Sequence, residues 1–202
     1  MIPTPMGGGG SSPVSSGGPP AAAVAATVEL IDSIYVAANT TSVSFGLGGD
    51  GVNNAEIDGD VDGMYEIFSY WVPPAANNVT VKMVPNLLGG TQFNSNYLDG
   101  RYLYNNRTYL SSTLTSDLQV HRTLTSSRAS FSVILLNAKR GCFRMFTAHE
   151  SLNANGLAYG RNFAGGTGDT LSQITSLGFV CSTASGILIG SEIHLYRRSV
   201  AS

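Results

Sequence analysis

The chain has 202 residues, enough for one domain, or one domain with an arm, to bury a real core. Charged residues make up only 12% and Gly is 24 of the 202, which suits strands joined by tight turns and leaves no room for the Ala/Glu/Lys/Leu-rich runs of a helical bundle. A net charge of −2 excludes a globally basic nucleic-acid binder, whose affinity would come from neutralising phosphates.

Residues 1–28 carry no charged side chain, and 1–20 are almost wholly Met, Pro, Gly and Ser. Alone, such a segment buries too little apolar surface to offset its ordering entropy. Residues 1–27 therefore read as an extended, Gly/Pro-rich anchoring arm, with Met1, Ile2, Pro3, Pro5 and Met6 as its anchoring side chains. The apolar stretch Ala21–Thr27 has no Lys or Arg before it and runs into Glu29 and Asp32, a pattern of neither a secretion signal nor a membrane span. Synthesis and assembly in a cytosol are expected.

Residues 28–202 read as one β domain. Apolar and β-branched runs predict strands at Val28–Val36, Thr41–Leu47, Met64–Val72, Val79–Val84, Leu103–Leu110, Phe131–Leu136, Cys142–Thr147, Ile174–Cys181 and Gly186–Tyr196. Alternation is clearest from Ser42 to Leu47 and from Val79 to Val84. Pro73-Pro74, Asn77-Asn78, Gly89-Gly90, Lys139-Arg140-Gly141 and Ser185-Gly186 are the separating turns. Eight or nine short strands predict an all-β fold, an antiparallel β-sandwich of jelly-roll type. Val28, Ile31 and Tyr35 also share a helical face, so a short helix over Val28–Ala38 is the alternative.

Charge is unevenly spread. Residues 1–100 hold one basic and nine acidic groups, a sum of −8, and residues 101–202 hold ten basic and four acidic, a sum of +6. Either the two halves interleave within one sheet, or the asymmetry steers docking. The two cysteines, Cys142 and Cys181, make no disulfide framework and no metal spacing, and read as buried thiols.

Asp58-Gly59-Asp60-Val61-Asp62-Gly63 matches the first half of a calcium loop, with carboxylates at alternate positions, but Ser69 stands where the bidentate Glu belongs. An exposed acidic turn is the preferred reading, with Asp58, Asp60 and Asp62 the candidate ligands of a looser calcium site. His121, His149 and His194 are scattered, and no nucleophile elbow or phosphate-binding loop is present. Spacing alone leaves a glycosidase-like carboxylate pair open. The aromatics Tyr65, Phe68, Tyr70 and Trp71 fill a core on one face of a strand and offer a sugar-stacking platform on the other. The segment Phe93–Tyr109 mixes rings with adaptable polar groups in a loop and hairpin; Tyr97, Arg101, Tyr102, Tyr104, Asn105 and Arg107 are its candidate partner or glycan contacts.

Three pieces carry a family resemblance. Thr41-Ser42-Val43-Ser44-Phe45 leads through a Gly/Asp-rich turn to Asp62-Gly63-Met64-Tyr65-Glu66-Ile67; Val79–Asn86 follows as a strand ending on Asn; and Ile174–Phe179 with Gly186–Tyr196 closes the domain. Together they resemble the small jelly-roll modules of tailed-bacteriophage virions, found in tail fibres, tail-tip proteins and head decorations. In physical terms Gly186 turns a hairpin, Gly190 relieves a bend, and Ile193 and Leu195 close the core. The segment 90–130 is longer than the resemblance implies, and the arm is no part of the module.

The resemblance implies a non-enzymatic structural protein of the virion, without cofactor, catalytic residues, nucleic-acid ligand or membrane insertion. With the arm's composition it points to a homo-oligomer, a trimer foremost, anchored through the arm to other virion proteins, with a tail or fibre component contributing to host attachment ahead of a head decoration. The alternative is a carbohydrate-binding, lectin-like module using the Tyr/Asn/Arg segment.

Overall fold

Where turn residues bound an alternating apolar run, every second side chain can face one side of a sheet, and the run settles as a strand. A computed structural model describes residues 27–72, 79–89, 97–103, 108–115, 118–122, 127–140, 144–154, 157–167 and 172–199. These form β1 (Thr27–Tyr35), β2 (Ser42–Phe45), one helical turn α1 (Gly59–Asp62), β3 (Met64–Trp71), β4 (Thr80–Pro85), β5 (Tyr97–Leu103), β6 (Thr108–Thr115), β7 (Leu118–Arg122), β8 (Ser127–Asn137), β9 (Arg144–Ala154), β10 (Leu157–Thr167), β11 (Leu177–Cys181) and β12 (Glu192–Ser199). Pairing among them is antiparallel throughout, and the described residues are all-β with almost no helix, as the composition implies.

One sheet runs β1-β12-β3-β8-β9-β10-β5-β6 and the other β2-β11-β4-β7. Strand β12, from the end of the chain, lies between β1 and β3, while β11 lies between β2 and β4. The acidic first half and basic second half thus interleave.

The core draws on both sheets. The Trp71 ring of β3 packs on Phe179 of β11 at a centroid distance of 5.9 Å, and Phe179 meets Phe45 of β2 edge-on at 6.4 Å. Ile34, Tyr65, Ile67, Ile134, Ile193 and Leu195 of the larger sheet join Val43, Val81, Met83 and Leu177 of the smaller in one buried cluster. Each such aliphatic or aromatic side chain contributes about 1.5–3 kcal/mol through removal from water.

Several expectations change. Residues 28–38 are not helical: β1 pairs with β12, and a bulge between Leu30 and Asp32 interrupts the period of two, which is what made Val28 and Ile31 imitate helical spacing. Leu103–Leu110 is not one strand, since β5 ends at Leu103 and β6 begins at Thr108, the two pairing as a hairpin. The closing strand starts at Glu192 rather than Gly186; before it Ile187 bridges Thr40, and Gly190 takes φ +87°, a left-handed conformation that favours glycine. The described residues hold twelve strands where eight or nine were expected, with β7 and β10 among those added; Gly160, Gly165 and Gly166 weaken the strand signal of β10.

Candidate functional site

The acidic segment folds as a capped helical turn. Asp58 has extended backbone angles (φ −128°, ψ 96°), and its Oδ1 accepts from the N–H groups of Asp60 at 2.9 Å and Val61 at 3.2 Å, which the first turn of a helix leaves without internal partners. Gly63, at φ +73°, ends the turn by donating its N–H to the Gly59 carbonyl. Asp60 accepts the Arg140 backbone N–H at 2.9 Å and forms an ion pair with the Arg140 side chain. Asp62 accepts the Tyr65 hydroxyl at 2.6 Å and Arg197 Nη1 at 2.9 Å, while Arg197 Nη2 donates to Glu29 at 2.7 Å.

The expected exposed turn needs correcting at Asp62, whose side chain is 5% exposed because Tyr65 and Arg197 enclose it. Each of the three carboxylates has its own protein donors. Among the described residues, no group of three His, Cys, Asp or Glu side chains is placed to hold a metal ion. Burial works to raise the Asp58 carboxyl, but hydrogen bonds from Gln173, Val61 and Asp60 and the charge of Arg140 outweigh it and hold the group below its ordinary value. The hydrogen bonds to Glu29 and Asp62 push Arg197 up, and burial followed by the bond to Asp62 does the same for Tyr65. A cleft of about 670 Å³ opens beside this cluster, with Glu29, Asp62, Asn137, Lys139 and Arg197 on its walls.

Of the candidate contact residues, Tyr97, Arg101 and Tyr102 lie on β5, between β10 and the outermost strand β6, with a bulge between Asp99 and Arg101. Tyr104, Asn105, Arg107, Met1, Ile2, Pro3, Pro5, Met6 and Cys142 lie outside the described residues. Cys181 is a buried thiol, pushed up by burial. His194 lies on β12, with Nδ1 2.9 Å from the Ser33 hydroxyl and Nε2 3.6 Å from a Glu192 oxygen.

The outward face of β1, β12, β3 and β8 carries several exposed aromatic and aliphatic side chains. On β3, Tyr65, Ile67, Ser69 and Trp71 point inward, and Phe68 and Tyr70 are left on the outside. Edge-to-face contacts join Phe68 to Tyr196 at 5.4 Å and Tyr35 to His194 at 5.8 Å, and a tilted contact joins Tyr70 to Phe131 at 5.1 Å. Phe131 is 60% exposed, Tyr35 56%, and Val28 and Leu30 49% each. A depression of about 240 Å³ runs among Phe68, Tyr70, Phe131, Val133, Glu192 and His194.

Alternation along β3 was enough to foresee Phe68 and Tyr70 on this face. Tyr35, Phe131, His194 and Tyr196 join them only through strand pairing. Arg140 and Arg197, the partners of the acidic turn, lie 80 and 135 positions along the chain from the carboxylates they meet. The only sequence signal for them was the opposed charge of the two halves. No known protein-family model matches this chain, and no curated protein or solved structure is similar to it.

Proposed function

We propose that this chain is a non-enzymatic structural protein of a tailed-phage virion: a jelly-roll β-sandwich over residues 28–202, assembled as an oligomer, foremost a trimer, and anchored by residues 1–27. A tail or fibre component contributing to host attachment is the leading placement, and a head decoration the alternative. The observation carrying the reading is the strand order. With the β5–β6 and β9–β10 hairpins set aside as insertions, β1-β12-β3-β8 opposes β2-β11-β4-β7. This order supports the jelly-roll reading, since jelly rolls divide eight antiparallel strands between two sheets as a double Greek key, an architecture common to viral capsid and lectin domains. The resemblance of the opening and closing hairpins to phage modules favours the first of these.

An arm without charge suits attachment, because Gly and Pro follow an irregular groove and their lost entropy is offset only on docking. The test is light scattering and particle incorporation for the full chain and for a form lacking residues 1–24. A folded oligomer that no longer joins particles is the expected result for the shortened form; retained incorporation would overturn the anchoring role, and a monomeric full chain the oligomer. The lectin-like module is favoured by one observation, the outward rings of Phe68, Tyr70 and Phe131; a glycan array without a binder, beside clear particle incorporation, leaves the structural reading standing alone.

A further inference from the structure

We propose that the depression on the outer face of β12, β3 and β8 binds a quaternary ammonium group, the cationic end of a small ligand of choline type. The site needs only side chains from three neighbouring strands, so it stands apart from any oligomer or particle. Three observations carry it: the rings, an uncompensated carboxylate, and a shortage of hydrogen-bonding groups.

Register brings the rings together. Tyr70 of β3 stands opposite Glu192 of β12 and Phe131 of β8, and in the next outward row Phe68 stands opposite His194 and Val133. The two rows, about 6.6 Å apart along the strands, leave the depression of about 240 Å³ between them, floored by the inward-pointing Ser69 and Ser132. A nitrogen seated there comes within about 6 Å of the rings, the range over which an aromatic face attracts a cation. Phe131 is 60% exposed and Phe68 39%, so both keep surface for a ligand. Tyr70 and Phe131 hold each other at 5.1 Å, and Tyr196 braces Phe68 edge-on at 5.4 Å, so the rings are in place before a ligand arrives.

The charge on these rows is negative. Glu192 lines the depression, and among the described residues its one ionic partner is the His194 imidazole, with Nε2 3.6 Å away. That imidazole is held from the other side by the Ser33 hydroxyl, 2.9 Å from Nδ1. Glu66 adds a second carboxylate one row further, opposite Tyr196 and Leu135. Arg197 turns to the opposite side, to Asp62 and Glu29, and Arg198 pairs with Val28 six positions from Glu192, about 20 Å along the strand. A neutral ligand such as a sugar would cover the rings and leave the Glu192 charge desolvated without a counterion, whereas a cation supplies one.

The lining also decides which cation. A primary ammonium carries three N–H donors, and each needs an acceptor once water is displaced. The outward side chains here are Phe68, Tyr70, Phe131, Val133, Glu192 and His194, and the backbone beneath them is engaged in the β3–β8 ladder. A trimethylammonium group has no donor to satisfy and spreads its charge over methyl groups that pack on ring faces, the chemistry by which aromatic cages hold choline.

The test titrates the full chain with choline, with its primary-amine counterpart ethanolamine and with its neutral carbon isostere dimethylbutanol, followed by calorimetry and saturation-transfer NMR at matched ionic strength. Choline should bind once per chain, and each of the other two at least about fivefold more weakly. Phe131→Leu should weaken choline about three- to fivefold, the loss of one cation–π contact, and Glu192→Gln should weaken it several-fold. The Phe131 and Glu192 side chains are 60% and 47% exposed, so both variants should keep the parent's melting temperature. Absence of choline binding, or binding unchanged in both variants, overturns the site. Dimethylbutanol binding as tightly as choline overturns the recognition of charge, and ethanolamine binding as tightly overturns the methylated group. None of these outcomes bears on the oligomer or on particle incorporation, which fail or stand by their own measurements.

Discussion

Arg197 Nη1 donates to Asp62 Oδ1 over 2.9 Å, tying the last strand to the helical turn 135 positions earlier. The second Asp62 oxygen takes the buried Tyr65 hydroxyl at 2.6 Å, so one carboxylate satisfies a hydroxyl that burial would otherwise penalise and a half-buried guanidinium. Asp62→Ala should cost about 2–3 kcal/mol, because a buried hydroxyl and a guanidinium each lose an acceptor. Asp62→Asn should cost less, since an amide oxygen still accepts from Tyr65. Urea midpoints at unchanged slope measure both. Arg140→Ala is the contrast: its side chain is 51% exposed, and removal should cost no more than about 1 kcal/mol.

Asp58 sets a pH dependence. Its folded carboxyl titrates below the ordinary value of about 3.9, so the cap's charged contribution is complete above that value and is lost as pH falls through the lower, folded one. Asp58→Ala should cost about 1 kcal/mol near neutrality, and the gap to the parent protein should close in acid. Melting curves from pH 7 down to the acid limit of folding check this; a gap of constant size would show that the ionised carboxylate contributes nothing beyond its shape.

Legibility followed locality. Apolar patterning located β2, β3 and β4 to within two residues at each end, because apolar side chains recur at intervals of two along them, with Ser69 the polar exception inside β3. The bulge at Leu30/Asp32 and the glycines of β10 broke that period, and there the pattern misled or fell silent. The acidic segment was visible as a turn. Its capping role depends on backbone N–H groups and its pairing on two distant arginines, neither of which leaves a mark in nearby sequence. The same holds for the aromatic face: two of its rings follow from β3, and the others arrive by pairing β1, β12 and β8 around it.

The donors around the acidic turn also predict its response to metal. Asp58 is committed to two backbone N–H groups, Asp60 to Arg140, and Asp62 to Tyr65 and Arg197. A calcium ion would have to displace cations and caps to collect enough oxygens. Millimolar calcium should leave the melting temperature unchanged, and a rise of several degrees would restore the turn as a calcium site.

The Ser69, Ser132 and Trp71 side chains form a buried polar chain between two neighbouring strands. Ser132 Oγ accepts the Trp71 indole N–H at 2.9 Å and lies 2.5 Å from Ser69 Oγ, all three residues being almost fully enclosed. Ser132→Ala takes one acceptor from the indole and the hydroxyl partner from Ser69, which keeps the Ser132 carbonyl at 3.3 Å, while changing side-chain volume little. The expected cost is about 1–3 kcal/mol, that of desolvated donors losing a partner, and it should fall when Ser69→Ala is added, because the second hydroxyl is then no longer buried without Ser132. Trp71 is the chain's single tryptophan, so its fluorescence reports this site alone. Denaturation followed by that signal gives the coupling directly, and strictly additive losses would mean that the hydroxyl pair contributes nothing of its own.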